Sequence, residues 1–336
     1  MDEQDKPKQA LVPKGVAHVE LGNSATVQHI AIVLVPQFSM SAFSAALEPF
    51  RIANQLTGQP LYHWRLLSED GKPVRASNGV EVCVDGNLSD TERDTLVFVC
   101  SGVEPQKMTT DAVAHWVRRQ WRNGRIVVGL CTGAHALAQA GILSGKQFTL
   151  HWENLPAFRE MYPDLEPLEQ LYTVDGRIMT CSGGSAATDL CVKLIKDSHG
   201  QLLSQEVLNM CLVPFQRAGT DRQTASQSAA IGTRNQKLVE MVVYFEEHLE
   251  EGVNLEAASA QVGVSRRQME RLFKQYTGTS PREYLMNMQL QRGRALLAET
   301  NLSVAEVAIA SGFLSAVSFS KRYRSKYGQS PFQFRP

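Results

Sequence analysis

A stretch of about fifty residues is written twice at the C-terminal end of the chain, and this repeat restricts the possible folds more than any other feature. The first copy, NLEAASAQVGVSRRQMERLFKQYTGTSP, starts at Asn254; the second, SVAEVAIASGFLSAVSFSKRYRSKYGQSP, starts at Ser303. Asn254 pairs with Ser303 and Gly263 with Gly312 at an offset of 49. Met269 pairs with Phe319, Phe273 with Tyr323, Gly278 with Gly328 and Pro281 with Pro331 at an offset of 50, so the second turn holds one extra residue. Each copy has the makings of a helix-turn-helix. Asn254 and Ser303 can cap a first helix, and Ser265 and Ser315 a second. A small residue, Ser259 or Ala308, precedes a turn glycine by four and permits close helix packing. Met269, Leu272, Phe273 and Tyr276 follow the i, i+3, i+4, i+7 spacing of a buried helical face.

The opposite faces are polar. Arg267 and Arg271 lie four apart on the first copy's second helix, and Val317, Ser318, Lys321 and Arg324 lie outside the buried Phe319, Tyr323 and Tyr327 on the other. The chain balances 34 Lys/Arg against 34 Asp/Glu, yet from residue 254 onward it holds 12 basic and 5 acidic side chains. A basic end on an acidic body points to a polyanion partner for that end alone. Glu283–Glu299 reads as a connecting helix, a strut of about 25 Å at 1.5 Å per residue. Two helices so joined can enter successive major grooves, about 34 Å apart. The alternative is a plain helical bundle with solvated arginines, which two basic copies each ending in G-x-S-P disfavour. The SRRQMERLFKQYTGTSP and GFLSAVSFSKRYRSKYGQSP segments resemble the double helix-turn-helix DNA-binding domain of AraC/XylS-type transcription regulators. The resemblance implies contacts to double-stranded DNA from Arg266, Arg267, Glu270 and Arg271 in the first copy, and from Val317, Ser318, Lys321 and Arg324 in the second. An Arg can hold guanine O6 and N7 bidentately, and Val317 can meet a thymine methyl. The second helix is poorer in hydrogen-bonding side chains and is expected to be the less base-specific.

The rest of the chain reads differently. Its 336 residues suit two domains better than one, and 43% hydrophobic residues suffice for packed cores. Residues 1–27 hold few large apolar side chains and are expected to form a flexible tail. HIAIVLVP is a buried strand, followed by a helix over 41–54; strands are expected at 62–68, 80–84, 95–100 and 125–130, and helices around 112–123 and 188–196. Strands alternating with helices imply an α/β domain with a mainly parallel sheet over 28–217. Residues 218–235, AGTDRQTASQSAAIGTRN, have no sustained apolar period and are expected to link it to an all-α domain over 236–336. The longest strongly apolar run, Ile30–Val35, is too short to span a bilayer, and the polar N-terminus shows no secretory signal. The six cysteines are scattered singly, none in a CxxC pair, so a zinc ribbon or redox dithiol is not expected and a reduced, cytoplasmic protein is.

Gly129-Leu130-Cys131-Thr132-Gly133 follows a buried strand and precedes the helical AHALAQAGIL. G-x-C-x-G at a strand-to-helix turn is the geometry of a nucleophile elbow, and a helix N-terminus can stabilise a thiolate. On those residues alone Cys131 is a candidate nucleophile, or else a small apolar residue of a pocket or core. GLCTGAHALAQAGILSGKQFTLHWE resembles the DJ-1/PfpI superfamily, which implies a flavodoxin-like fold. Hydrolytic members place His directly after the Cys and Glu on the loop after the first strand; here stand Thr132, and Ser41 with Ala42. The resemblance therefore implies a degenerate elbow without catalysis, with His135 and His151 as the only nearby substitutes. A DJ-1/PfpI-like domain ahead of an AraC-type module is the architecture of GlxA-family regulators, and residues 46–79 resemble the branch sensing glycine betaine, carnitine or arginine. The resemblance implies a homodimeric regulator, an activator of small-molecule catabolism genes that engages RNA polymerase, with an amino acid or quaternary amine as effector and no cofactor, metal or membrane. Phe38, Ser41, Gly102, Cys131, Thr132, His151 and Trp152 are the expected pocket, and Phe38, Phe43, Trp64 and Trp152 the candidate walls of an aromatic cage for a trimethylammonium group. The competing reading is a cysteine hydrolase or amidase using Cys131.

Overall fold

The structure, a computed structural model, describes residues 10–21, 26–223 and 235–334. The chain divides into two compact units, one holding the described residues up to 152 together with 162–223, the other 153–161 together with 235–334.

The first unit opens with β1 (Gln28–Leu34) and α1 (Met40–Thr57), then β2 (Tyr62–Leu67), the two-residue strands β3 (Val74–Arg75) and β4 (Glu81–Val82), and β5 (Leu96–Cys100). A short α2 (Pro105–Met108), α3 (Asp111–Arg122), β6 (Ile126–Leu130) and α4 (Ala134–Gln139) follow. After α5 (Leu155–Met161), which belongs to the second unit, come β7 (Tyr172–Asp175), β8 (Ile178–Cys181), α6 (Ala186–His199) and α7 (Gln201–Met210). The main sheet runs β2-β1-β5-β6-β8-β7, parallel throughout except for the β7–β8 pair. This is the flavodoxin-like α/β fold expected from the sequence. The central strands β5 and β6 read as unbroken apolar runs because both of their faces are covered. Leu96, Phe98 and Cys100 of β5 point into the core shared with α1, α6 and α7, while Val97 and Val99 point the other way. Sheet order reverses between β1 and β5, the point where open α/β sheets bind ligands, at the carboxyl ends of the strands.

Three expectations change at the margins. Residues 80–84 do not join the main sheet: only Glu81–Val82 pairs, antiparallel with Val74–Arg75, and Val80 is exposed. The expected tail is pinned near its end, where Val19 is buried in the core and its amide donates to the Leu56 carbonyl at 2.7 Å. The expected linker begins with residues bound to the α/β unit: Leu171 and Tyr172 donate to the carbonyls of Asp221 and Gly219, and the Gln223 amide donates to Thr149 and Leu150. Residues 224–234 of that linker lie outside the described residues, as do 1–9 and 22–25 of the tail.

The second unit is all-α. Besides α5 it holds α8 (Gln236–Glu247), α9 (Leu255–Gln261), α10 (Arg266–Thr277), α11 (Pro281–Glu299), α12 (Val304–Ala310), α13 (Ala316–Tyr327) and α14 (Pro331–Phe334). It contains two small cores. Leu238, Met241, Phe245, Met269 and Phe273 fill the first with Leu285 of α11; Phe313, Phe319 and Tyr323 fill the second with Leu290, Leu296 and Leu297. The strut α11 thus gives one end to each core. It starts at Pro281, two residues before the expected Glu283, because Ser280 caps it and Pro281 needs no donor at the first position. Its 19 residues span about 28 Å.

Candidate nucleic-acid interface and elbow site

Each helix-turn-helix is closed by the local chemistry its sequence carries. Asn254 and Ser303 cap α9 and α12, the latter through a full capping box with Glu306. Ser265 and Ser315 accept the amides of Gln268 and Ser318 at the starts of α10 and α13. Gly278 and Gly328 end those helices in the left-handed conformation that favours glycine. Burying Met269, Leu272 and Phe273 leaves Arg266, Arg267 and Arg271 exposed and Glu270 half-buried. Arg266 also reaches Glu256 at 3.4 Å, an exposed pair of small energetic weight. Burying Phe319 and Tyr323 leaves Val317, Ser318, Lys321 and Arg324 exposed. All eight residues expected to face DNA therefore lie off the buried faces of α10 and α13. The two modules are also fixed to each other inside this unit. Gln289 of α11 donates to the Gly312 carbonyl at 2.8 Å, Arg292 donates to the Ala310 carbonyl at 2.8 Å, and the Arg292 guanidinium pairs with Glu250.

In the first unit the residues expected at a pocket cluster beyond the carboxyl ends of β1, β5 and β6. Phe38 and Gly102 form an antiparallel bridge, and the Thr132 hydroxyl donates to the Gly102 carbonyl at 2.7 Å. Cys131 has φ 58°, the strained left-handed turn of an elbow, in a residue that is not glycine. Glycines make that turn possible. A Cβ on Gly133 would overlap the Val99 carbonyl, and one on Gly183 would lie 2.7 Å from Cys131 Cβ. Beneath the elbow the Cys181 sulfur accepts the amides of Gly183 and Cys131, and burial pushes its thiol up to about 11. The His151 amide donates to the Cys131 carbonyl at 3.2 Å, and its ring stacks obliquely on Trp152.

Two members of the expected pocket set are exposed. Ser41 is exposed near the start of α1, and Trp152 is 43% exposed. The aromatic cage is not assembled: Phe38 and Phe43 pack edge-to-face on each other inside the core, and Trp64 stands on β2, three strands or about 14 Å from β6. His135 is buried against Tyr162, and burial pushes its pKa down to about 3. An imidazole so hard to protonate is a poor base for a thiol. Sequence reading missed the anchor of this end of the unit. Asp189 of α6, with only 2% of its side chain exposed, accepts the Arg217 amide at 2.8 Å and its guanidinium at 2.6 and 3.0 Å. Among the described residues no cluster of His, Cys, Asp and Glu could hold a metal ion, and no helix is long and apolar enough to cross a membrane.

An elbow domain followed by paired helix-turn-helix modules defines an HTH-type transcription regulator. Residues 30–197 match the DJ-1/PfpI family, and residues 258–336 match a helix-turn-helix domain. The chain is 38% identical over 308 residues to the HTH-type transcriptional regulator CdhR of Pseudomonas aeruginosa, covering 92% of this chain and 91% of that protein. It is 34% identical over 314 residues to the HTH-type transcriptional regulator GlxA of Rhizobium meliloti, covering 93% and 97%. The chain belongs to this GlxA-type family of transcription regulators, and DNA is its partner. The solved structure of a THiJ/PfpI family protein from Pseudomonas syringae, 18% identical, superposes with a TM-score of 0.51 over 71% of this chain and 92% of that one, a likeness of fold.

Proposed function

We propose that the chain is an effector-responsive regulator in which a non-catalytic elbow domain senses a small molecule and the paired helix-turn-helix modules bind an operator. The observation that carries this reading is a strained elbow, kept open by Gly133 and Gly183, in which Thr132 stands in the place of the catalytic His and spends its hydroxyl on Gly102. A thiol needs a positioned base to be an efficient acyl-transfer nucleophile, and Thr132, which stands where hydrolytic members carry His, cannot serve as one. The effector is an amino acid or quaternary amine bound near Cys131, Thr132, Gly102, Phe38 and His151. Arg266, Arg267, Glu270 and Arg271 of α10 and Val317, Ser318, Lys321 and Arg324 of α13 face the operator. The protein acts in the cytoplasm as a homodimer that activates catabolic genes through RNA polymerase.

A thermal-shift series with amino acids and betaines tests the sensor, since a ligand bound to the native state raises its stability. The effector is expected to stabilise the wild type and Cys131→Ser, and not Cys131→Trp, which fills the site. Multiple turnover of an amide or aldehyde, lost in Cys131→Ser, would make the protein a hydrolase instead. On the DNA side, Arg267→Ala or Arg271→Ala is expected to cost about 1–3 kcal/mol at a selected operator at fixed salt. No change from either would remove α10 from the interface.

A further inference from the structure

The two helix-turn-helix modules differ by one residue, and the structure shows where it goes. Val264 and Phe313 occupy the same place: each is 7% exposed, and each donates its amide at 2.9 Å to the residue five earlier, Ser259 or Ala308. In the first module the helix cap, Ser265, follows directly. In the second, Leu314 intervenes before the cap, Ser315, and its side chain is fully exposed. Val317 is 80% exposed. Residues 317, 318, 321 and 324 follow helical spacing, are all exposed, and lie away from the buried Phe319 and Tyr323, while the exposed Leu314 stands just outside the helix, one residue before its extended cap Ser315. Two exposed branched apolar side chains, Leu314 and Val317, therefore stand three residues apart at the N-terminal end of α13, whose exposed stripe runs on to Lys321 and Arg324.

The charge around this patch selects its occupant. Helix α13 holds Lys321, Arg322, Arg324 and Lys326 and no acidic residue, which suits a polyanion rather than an apolar protein surface. In the major groove of DNA the one apolar group on a base edge is the thymine 5-methyl. We infer that Leu314 and Val317 form an apolar pad that reads thymine methyl groups in the half of the operator covered by α13. The inference rests on the DNA-binding reading above and extends it. The corresponding stripe of α10 carries Arg267 and Arg271 and has no counterpart of Leu314, because the cap Ser265 follows the buried Val264 directly. The two half-sites are therefore read by different chemistry, hydrogen bonds in one and methyl burial in the other.

The test uses the full chain and a duplex operator selected from a random pool. The half-site whose mutation stops mattering in Arg267→Ala is the one under α10; the other lies under α13. Replacing thymine by deoxyuridine in the α13 half removes only the methyl groups. Each methyl lost is expected to weaken binding about fourfold, while the same exchange in the α10 half leaves binding unchanged. The double variant Leu314→Ser, Val317→Ser is expected to bind thymine and uracil operators equally. Equal binding of both operators by the wild type overturns the inference, and so does a double variant that keeps the wild-type ratio. A double variant that keeps the ratio and loses only transcription activation would assign the pad to a protein partner, which also overturns it. Failure of the wild type to select any duplex would defeat the DNA-binding reading itself, and the inference with it.

Discussion

Gly263 and Gly312 are repeat equivalents with nearly the same backbone, φ 67° and 77°, so replacing each by alanine separates conformational strain from close approach. Around Gly263 an added Cβ meets nothing within 4 Å. Gly263→Ala should then cost only the left-handed conformation, about 1–2 kcal/mol. At Gly312 the same Cβ overlaps the Leu249 carbonyl and lies 2.8 Å from Gln289 Nε2. Restoring an ordinary C···O separation requires the turn to move on the order of 1 Å. That movement lengthens the buried hydrogen bond from Gln289 to the Gly312 carbonyl, worth about 1 kcal/mol with a further penalty for the stranded amide. Gly312→Ala should therefore cost about 3–4 kcal/mol, leaving a gap of about 2 kcal/mol between the two variants. Hydrogen exchange of the full chain reads this locally, since opening free energies differ between segments. Protection in α12 and α13 is expected to fall in Gly312→Ala by at least about thirtyfold more than protection in α9 and α10 falls in Gly263→Ala. Equal losses in the two modules would show that the contact with Leu249 and Gln289 carries no weight.

The Asp189–Arg217 pair should respond asymmetrically. Arg217→Ala strands a carboxylate with 2% exposure and is expected to cost about 3–5 kcal/mol, whereas Asp189→Ala leaves a guanidinium that is 35% exposed and should cost less in a thermal melt. At the elbow, Gly183→Ala drives a Cβ against Cys131 and should abolish effector-induced stabilisation. Gly184→Ala, with φ 52° and nothing within 4 Å, carries strain alone and should keep it. In the helical unit, burial raises the Glu299 carboxyl to about 7 against the opposing hydrogen bond from Asn154. The folded state then binds more protons than the unfolded state, so stability falls by up to about 3 kcal/mol as pH rises from 4.5 to 7; Glu299→Gln should flatten that slope and stabilise the protein at pH 8 but not at pH 4.

What could be read from sequence was written locally. The caps Asn254, Ser265, Ser303 and Ser315, the turn glycines and the buried stripe of Met269, Leu272 and Phe273 each act within a few residues, and each is found in place. The β7–β8 hairpin was missed although its signal is present, since Asp175-Gly176 stands between two β-branched runs. Residues 80–84 misled because alternation of valines with polar residues does not reveal which sheet, if any, a segment joins; here the strand is two residues long. The contacts of Gly183 with Cys131 and of Asp189 with Arg217 have no sequence signal, because each joins residues that only the completed sheet brings together. The candidate cage failed for the same reason. Phe38, Phe43 and Trp64 are all aromatic and near the sheet in sequence, but strand order decides their neighbours.

Strain at Cys131 argues that the elbow is kept for a purpose other than packing. A left-handed non-glycine residue costs about 1–3 kcal/mol and persists only where its surroundings hold it. Those surroundings are specific: Gly133 and Gly183 lack the Cβ that would block the turn, and the Cys131 carbonyl takes the His151 amide. A core position occupied by cysteine needs none of this, as Cys100 and Cys191 show in an ordinary strand and an ordinary helix. The strained turn sets the Cys131 thiol and the adjoining backbone at the carboxyl ends of the strands, beside the point where sheet order reverses, which is the placement the proposed sensing role requires.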